Sequence, residues 1–228
     1  MPKITSTREQ HVGNVTILVY GQAGTGKTMM MGTADNPLII DVEHGLLSLV
    51  DRDLDSISVS SMDDFRSALI FSKSPEASHY GAVCIDSLSE LAEIILSEEK
   101  ERSKDPRLAY MALNDTLSKV IRTLKSLGKL VYCTAKADLK NDDGTGLSYF
   151  SPSFPGSKLS NQISYKFDIV GALRADADRN SGDIVRYVQT VNDGRYIAKD
   201  RTGKLDARQA PDISEMVAKI FGGSDGIS

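Results

Sequence analysis

The sequence predicts a single α/β domain, built on a mostly parallel twisted sheet flanked by helices and closed by an antiparallel extension toward the C-terminus. Three observations carry this expectation. Short apolar runs alternate with stretches of helical periodicity between residues 15 and 134. One of those runs, Gly81-Ala82-Val83-Cys84-Ile85-Asp86, is apolar throughout, as befits a strand covered on both faces. Beyond residue 161 the runs are joined by short turns, Asn180-Ser181-Gly182-Asp183 and Asn192-Asp193-Gly194, which suit antiparallel hairpins.

The elements follow in order. Residues 15–20 form the first apolar strand, and residues 28–34 open a helix. Residues 38–43 form a second strand, entered from the Asn36-Pro37 turn. Residues 56–60 are short and half polar, as an edge strand is. Ser61, with Asp64 three residues on, caps a helix whose apolar positions Phe65, Ala68 and Leu69 share a face. After the strand at 81–86 come a helix at 88–102, a longer amphipathic helix at 106–127 stopped by Gly128, and a core strand at 129–134. Residues 136–161 hold Gly144, Gly146, Pro152, Pro155 and Gly156 without sustained periodicity, and read as a long functional loop. Strands at 165–174, 184–190 and 195–199 and a closing helix at 211–221 complete the expectation. The organisation is an N-terminal segment (1–11), one core (12–221) and a loose tail (222–228).

The chain has 228 residues, 40% of them hydrophobic, and carries a net charge of -4. That balance argues against a surface coated in basic charge for duplex DNA. No run of about 18 apolar residues is present, so no transmembrane helix and no membrane partner are expected. The N-terminus lacks a signal-peptide core. Cys84 and Cys133 lie inside apolar runs and read as buried thiols of a reducing, cytoplasmic compartment.

The motif that says most is Gly21-Gln22-Ala23-Gly24-Thr25-Gly26-Lys27-Thr28, a complete G-x-x-x-x-G-K-[ST] loop between a strand and a helix. Its glycines let the backbone curl so that N–H groups point at phosphate. Lys27 is expected at the β- and γ-phosphates and the Thr28 hydroxyl at Mg²⁺, which makes ATP and Mg²⁺ the implied ligands. Asp86 ends an apolar strand, where the second acidic motif of such proteins holds the metal. The next residue is Ser87, so a base for water must come from elsewhere. Asp41-Val42-Glu43-His44 lies at the carboxyl end of a strand, the end where ligands bind in open α/β sheets.

The segment Ile40-Asp41-Val42-Glu43-His44-Gly45-Leu46 and the later Val83-Cys84-Ile85-Asp86-Ser87 resemble RecA, as does their order along the chain. The resemblance covers residues 12–200, the ATPase core alone, and is nearest to the short, core-only RecA-like proteins of bacteriophages that act in single-strand annealing recombination. It implies that Glu43 activates the attacking water. It also implies that the 129–134 strand lies between the loop strand and the Asp86 strand, with Glu43's strand on the far side of Asp86's. Ile197-Ala198-Lys199-Asp200-Arg201-Thr202-Gly203 resembles the K-x-R-x-G segment of DnaB-type helicases. That implies Lys199 and Arg201 reach a neighbour's γ-phosphate, which requires a homo-oligomeric ring or filament. Where RecA carries an Asn-Gln pair that senses the γ-phosphate, this chain has Cys133-Thr134-Ala135-Lys136; Thr134 as a phosphate contact and Lys136 as a charge remain alternatives.

The resemblance further implies single-stranded DNA as partner, gripped by the 136–166 region. Lys136, Lys140 and Lys158 are the candidate phosphate contacts, and Tyr149, Phe150 and Phe154 the candidate base-stacking rings. A single-strand-binding protein is a further candidate partner. The alternatives are a DnaB-like motor, a small-molecule kinase, and a nucleotide-gated interaction module that does not bind DNA.

Overall fold

A computed structural model describes residues 14–142, 144–156, 159–178 and 181–222. The expected N-terminal segment 1–11, Asn180 of one turn, and the tail beyond Gly222 lie outside the described residues. The strands are β1 (Thr16–Gly21), β2 (Pro37–Asp41), β3 (Ser56–Ser58), β4 (Ala82–Asp86), β5 (Leu130–Asn141), β6 (Ser148–Pro152), β7 (Ile169–Ala177), β8 (Ile184–Gln189), β9 (Lys199–Asp200) and β10 (Arg208–Gln209). The α-helices are α1 (Lys27–Met31), α2 (Met62–Lys73), α3 (Leu88–Arg102), α4 (Pro106–Lys125), α5 (Leu159–Lys166) and α6 (Ile213–Phe221).

The strand order is β10-β8-β7-β1-β5-β4-β2-β3, with β6 beside β5 and β9 beside β7. From β3 to β7 every neighbouring pair is parallel. Strands β8, β9 and β10 add the antiparallel extension. β5 therefore lies between β1 and β4, and β2 lies on the far side of β4, as the resemblance to RecA implies.

The two-residue period of the strands divides the core into two layers. Leu18 and Tyr20 of β1 join Ile40, Val83, Ile85 and Val131 on the face covered by α2, α3, α4 and α5. Ile17 and Val19 join Ile39, Cys84 and Tyr132 on the other face, under Met30, Met31, Ile213 and Met216. Burial on both sides explains why these strands read as unbroken apolar runs. Both cysteines are buried and unpaired, and burial pushes both thiols up, away from reactivity.

Three expectations are corrected. The long loop at 136–161 is instead a hairpin followed by a helix. β5 runs on past the sheet to Asn141 and pairs antiparallel with β6, from Ala137↔Pro152 to Asn141↔Ser148. Its turn is set by the Asp142 carboxylate, which accepts from the Gly144 and Thr145 N–H groups. The segment is half polar and breaks alternation at Pro152, so neither strand announces itself. Residues 159–166 form α5 and not the start of a strand: Leu159, Ser160, Ile163 and Ser164 are buried at helical spacing. The strand expected from residue 165 begins at Ile169. The expected strand at 195–199 is reduced to an isolated bridge, Phe150↔Tyr196, and the two residues of β9.

Candidate functional site

β1 delivers the loop to the carboxyl edge of the sheet. Gly21 is required by a close approach: a Cβ there would lie 2.8 Å from both the Leu173 carbonyl and Thr25 Oγ1. Gly24 (φ 74°) and Gly26 (φ 105°) occupy the left-handed region that favours glycine. Thr25 Oγ1 donates to the Gln22 carbonyl at 2.9 Å and braces the curl. Lys27 Nζ donates to the carbonyls of Gly21 (2.9 Å) and Gln22 (3.0 Å). Burial lowers the Lys27 pKa, opposed by the carboxylates of Glu43 and Asp86. The helix that follows is short, only five residues before Gly32. The loop's own N–H groups, more than a long helix axis, therefore supply the positive field for an anion.

Asp86 is 1% exposed and fully engaged. Its Oδ2 accepts from Thr28 Oγ1 at 2.7 Å, and its Oδ1 accepts from Thr134 Oγ1. Its carbonyl accepts from the N–H groups of Val42 (2.7 Å) and Glu43 (2.9 Å). Those two bonds extend the parallel register, in which Asp41 faces Asp86. Thr134, an expected phosphate contact, is corrected here: it is fully buried and its hydroxyl positions Asp86.

Glu43 follows β2 and is reached by Ser87 Oγ, which donates to its Oε1 at 2.9 Å. The same Ser87 hydroxyl accepts from the Glu90 N–H and caps α3. His44, at φ 54°, folds back so that its N–H donates to Asp41 Oδ1 at 2.8 Å. Lys136 Nζ lies 3.6 Å from Glu43 Oε1 and 2.7 Å from Glu90 Oε2. The hydrogen bond to Glu90 raises the Lys136 pKa. β5 thus places Lys136 opposite Gly21, with its ammonium beside Glu43 and Glu90.

Two clefts flank the loop. One, of about 360 Å³, lies between Gly26, Met29, Arg52, Arg186 and Pro211. Arg52 Nη1 is held by the Gly32 carbonyl. Sequence reasoning missed both arginines; they sit in a 3₁₀ segment and a hairpin strand that carry no local signal of a ligand. The other cleft, of about 270 Å³, lies between Gln22, Ala23, Phe150, Arg174 and Tyr196. Phe150 stacks on Tyr196 (centroids 4.9 Å apart), whose ring also meets the Arg174 guanidinium at 4.4 Å.

The remaining expected residues disperse. Phe154 is corrected: at 7% exposure it packs in the core and presents no ring to a base. Phe150 has one face covered by Tyr196. Lys140 Nζ donates to Ser160 Oγ at 2.7 Å, and Tyr149 is half-buried on the hairpin. Lys158 lies outside the described residues. Lys199 Nζ donates to the Ser164 carbonyl at 2.8 Å, and burial, followed by the charge of Arg201, pushes its pKa down to about 8. Arg201 donates to Asp168 Oδ1 (3.1 Å) and to the Tyr165 carbonyl (2.8 Å). Both sit beside the start of β7, level with the first half of β1. By this register Lys199 is level with Leu18 and Arg201 with Thr16, about 10 Å and 17 Å short of Gly21 along the strand direction.

Among the described residues no helix is long and apolar enough to cross a membrane. No curated protein matches the chain by sequence. Among solved structures it is similar to a KaiC-like protein from the hyperthermophilic archaeon Pyrococcus horikoshii OT3, at 15% identity over 77% of each chain, with a TM-score of 0.48. The family described as an AAA domain matches residues 13–202, a span that begins just before β1 and ends just past Arg201. With the phosphate loop, the buried aspartate and the mostly parallel sheet in place, the chain belongs to that AAA domain family (AAA_24), a P-loop ATPase domain.

Proposed function

We propose that the chain is a Mg²⁺-dependent ATPase that works as a homo-oligomer on single-stranded DNA, in annealing or recombination. The observation that carries the hydrolytic reading is the backbone tie between the end of β2 and β4. The Val42 and Glu43 N–H groups both bind the Asp86 carbonyl, which holds Glu43 beside the Thr28–Asp86 pair.

The residues present fit both ligands. The Thr28 hydroxyl and the Asp86 carboxylate are hard oxygen donors 2.7 Å apart, the donor type Mg²⁺ prefers alongside phosphate oxygens and water. Gly24 and Gly26 adopt left-handed backbone conformations, the kind that lets successive N–H groups of a loop turn toward one anion. When bound, the metal neutralises charge on the β- and γ-phosphate oxygens. Thr28 and Asp86 would hold it, and Lys27 would turn from two backbone carbonyls to the phosphates. Glu43 accepts a proton from water, with Ser87 orienting its carboxylate. The water oxygen bonds to the terminal phosphorus, the phosphoanhydride bond breaks, and ADP and phosphate leave. The cleft between Met29, Arg52 and Arg186, beside Gly24 and Gly26 of the loop, would take the nucleoside.

The DNA reading is supported by the RecA resemblance and by the β5–β6 hairpin, which extends past the carboxyl edge of the sheet with Leu139 and Leu147 exposed. On the hairpin itself the candidate contacts are Lys140 and Tyr149. The oligomeric reading is supported by the position of Lys199 and Arg201: any part they take in hydrolysis is at a neighbour's loop. An ATPase assay with and without single-stranded DNA, at several salt concentrations, tests the reading. A DNA-stimulated rate that fades with salt is expected. A rate indifferent to DNA refutes the DNA part, and unchanged turnover in Glu43→Gln refutes the hydrolytic part.

A further inference from the structure

We propose that Arg186, on β8, is a further nucleotide-binding residue: from within the same chain it holds the phosphate that joins the nucleoside to the rest of the phosphate chain. The inference rests on the ATPase reading and deepens it. The register of the antiparallel extension brings Arg186 to the loop. Its partner on β7 is Ala175, and the two-residue period of a strand puts it on the same side of the sheet as Val188. Val188 packs in the layer that holds Met30 and Ile213, the side covered by α1 and α6. Arg186 thus overhangs the loop: a Cβ built on Gly26 would lie 3.7 Å from its Cδ and 3.9 Å from its Nε.

Its guanidinium is free for a ligand. The neighbouring Tyr187 points to the other side of the sheet, where it, Arg174 and Arg208 all donate to the Asp176 carboxylate. Among the described residues no hydrogen bond or ion pair engages Arg186. Its side chain nevertheless has a defined seat, on the wall of the cleft of about 360 Å³ that also takes in Gly24, Thr25 and Gly26 of the loop. Arg52 lines the same cleft, but its Nη1 is taken by the Gly32 carbonyl. Met29, Met30, Leu173 and Pro211 make the rest of the wall apolar, as a base and a sugar require. A nucleotide with its nucleoside in this cleft and its terminal phosphates at Lys27 carries its first phosphate past Gly26, under Arg186. A guanidinium on a phosphate oxygen is a charge-assisted contact, the strong kind. Lys27 then serves the far end of the phosphate chain and Arg186 the near end. The near phosphate takes no part in the bond that breaks. Its contact is therefore made equally before and during the reaction, and adds affinity without adding rate.

The test is calorimetric titration of wild type, Arg186→Met and Arg186→Lys with the Mg²⁺ complexes of ADP and of a non-hydrolysable ATP analogue, beside steady-state turnover of Mg²⁺–ATP. Loss of a hydrogen bond between charged groups predicts roughly 10- to 100-fold weaker binding in Arg186→Met, by the same factor for both nucleotides, since both carry the near phosphate. Arg186→Lys keeps the charge without the planar fork and is expected to recover part of the loss. In turnover KM is expected to rise by a similar factor while kcat stays within about twofold, as the loss of uniform binding requires. The thermal melt without nucleotide is expected to be unmoved, because the exposed side chain holds no partner within the fold. Weakening confined to the triphosphate analogue, a fall in kcat at constant KM, or a melt that drops along with the affinity would each overturn the proposal. If wild type binds both nucleotides and Arg186→Met binds them equally well, the proposal alone fails. If wild type binds neither, the ATPase reading fails and takes the proposal with it.

Discussion

Thr134→Val is the sharpest test of how the metal-site aspartate is held. The substitution keeps side-chain shape and removes one hydroxyl at a position with no solvent exposure. That hydroxyl donates to Asp86 Oδ1, and Asp86 is itself 1% exposed, so water cannot replace the lost donor. A hydrogen bond to a buried charged acceptor contributes about 1.5–3 kcal/mol, and an unsatisfied acceptor keeps the full desolvation cost. A loss of about 2 kcal/mol is therefore expected, equivalent to a fall in Tm of about 4–8 °C for a domain of this size. Thr134→Ser restores the donor and should recover most of the loss. Urea unfolding of the three proteins measures the difference, and titration with Mg²⁺–ATP analogue reads the consequence for the site. Freed on one side, Asp86 can turn away from Thr28, and weaker Mg²⁺-dependent binding should accompany the lost stability. If Thr134→Val unfolds within about 0.5 kcal/mol of wild type, the ordinary scatter of neutral substitutions, the reasoning fails.

Three further outcomes are expected. Mixing Glu43→Gln with Arg201→Ala protein should restore part of the ATPase activity if Arg201 acts on a neighbour; co-assembly without recovery at any ratio would sink that assignment. Asp168 accepts from the Thr16 N–H and hydroxyl and meets Lys125 and Arg201; burial pushes its pKa up, but the Thr16 bonds and the Lys125 charge outweigh it and hold it below the usual range. Its folded pKa lies below the unfolded one, so the stability gap between wild type and Asp168→Asn should be full above about pH 4 and close as pH falls further, measured by thermal melts across pH. Gly21→Ala should destabilise by roughly 1–3 kcal/mol in urea unfolding, because its methyl group meets the Leu173 carbonyl, which is backbone and cannot swing aside.

Much of the fold was legible because its signals are local. Residues 88–102 are a helix in both sequence and structure, since Ser87 caps it and its apolar positions recur at helical spacing. The hairpin of residues 137–141 with Ser148–Pro152 was not legible, although the core strand that leads into it was: beyond the sheet one face loses the apolar pattern that marks a buried strand. The helix Leu159–Lys166 was hidden for a related reason. Two of its four buried positions are serines, and Ser164 satisfies its hydroxyl on the Ser160 carbonyl one turn earlier.

By itself the sequence determined the phosphate loop, the alternation of strands and helices, and the buried thiols. Each depends on the conformational range of glycine or on a period of two or 3.6 residues within a short window. Tertiary structure alone decided that Thr134 serves Asp86, 48 residues away, and that Ser87 serves Glu43, 44 residues away. It also set Lys136 beside Glu43 and Glu90, brought Arg52 and Arg186 to one cleft, and withdrew Phe154 into the core. These outcomes follow from the order and register of parallel strands joined by long crossovers, which no window along the chain contains.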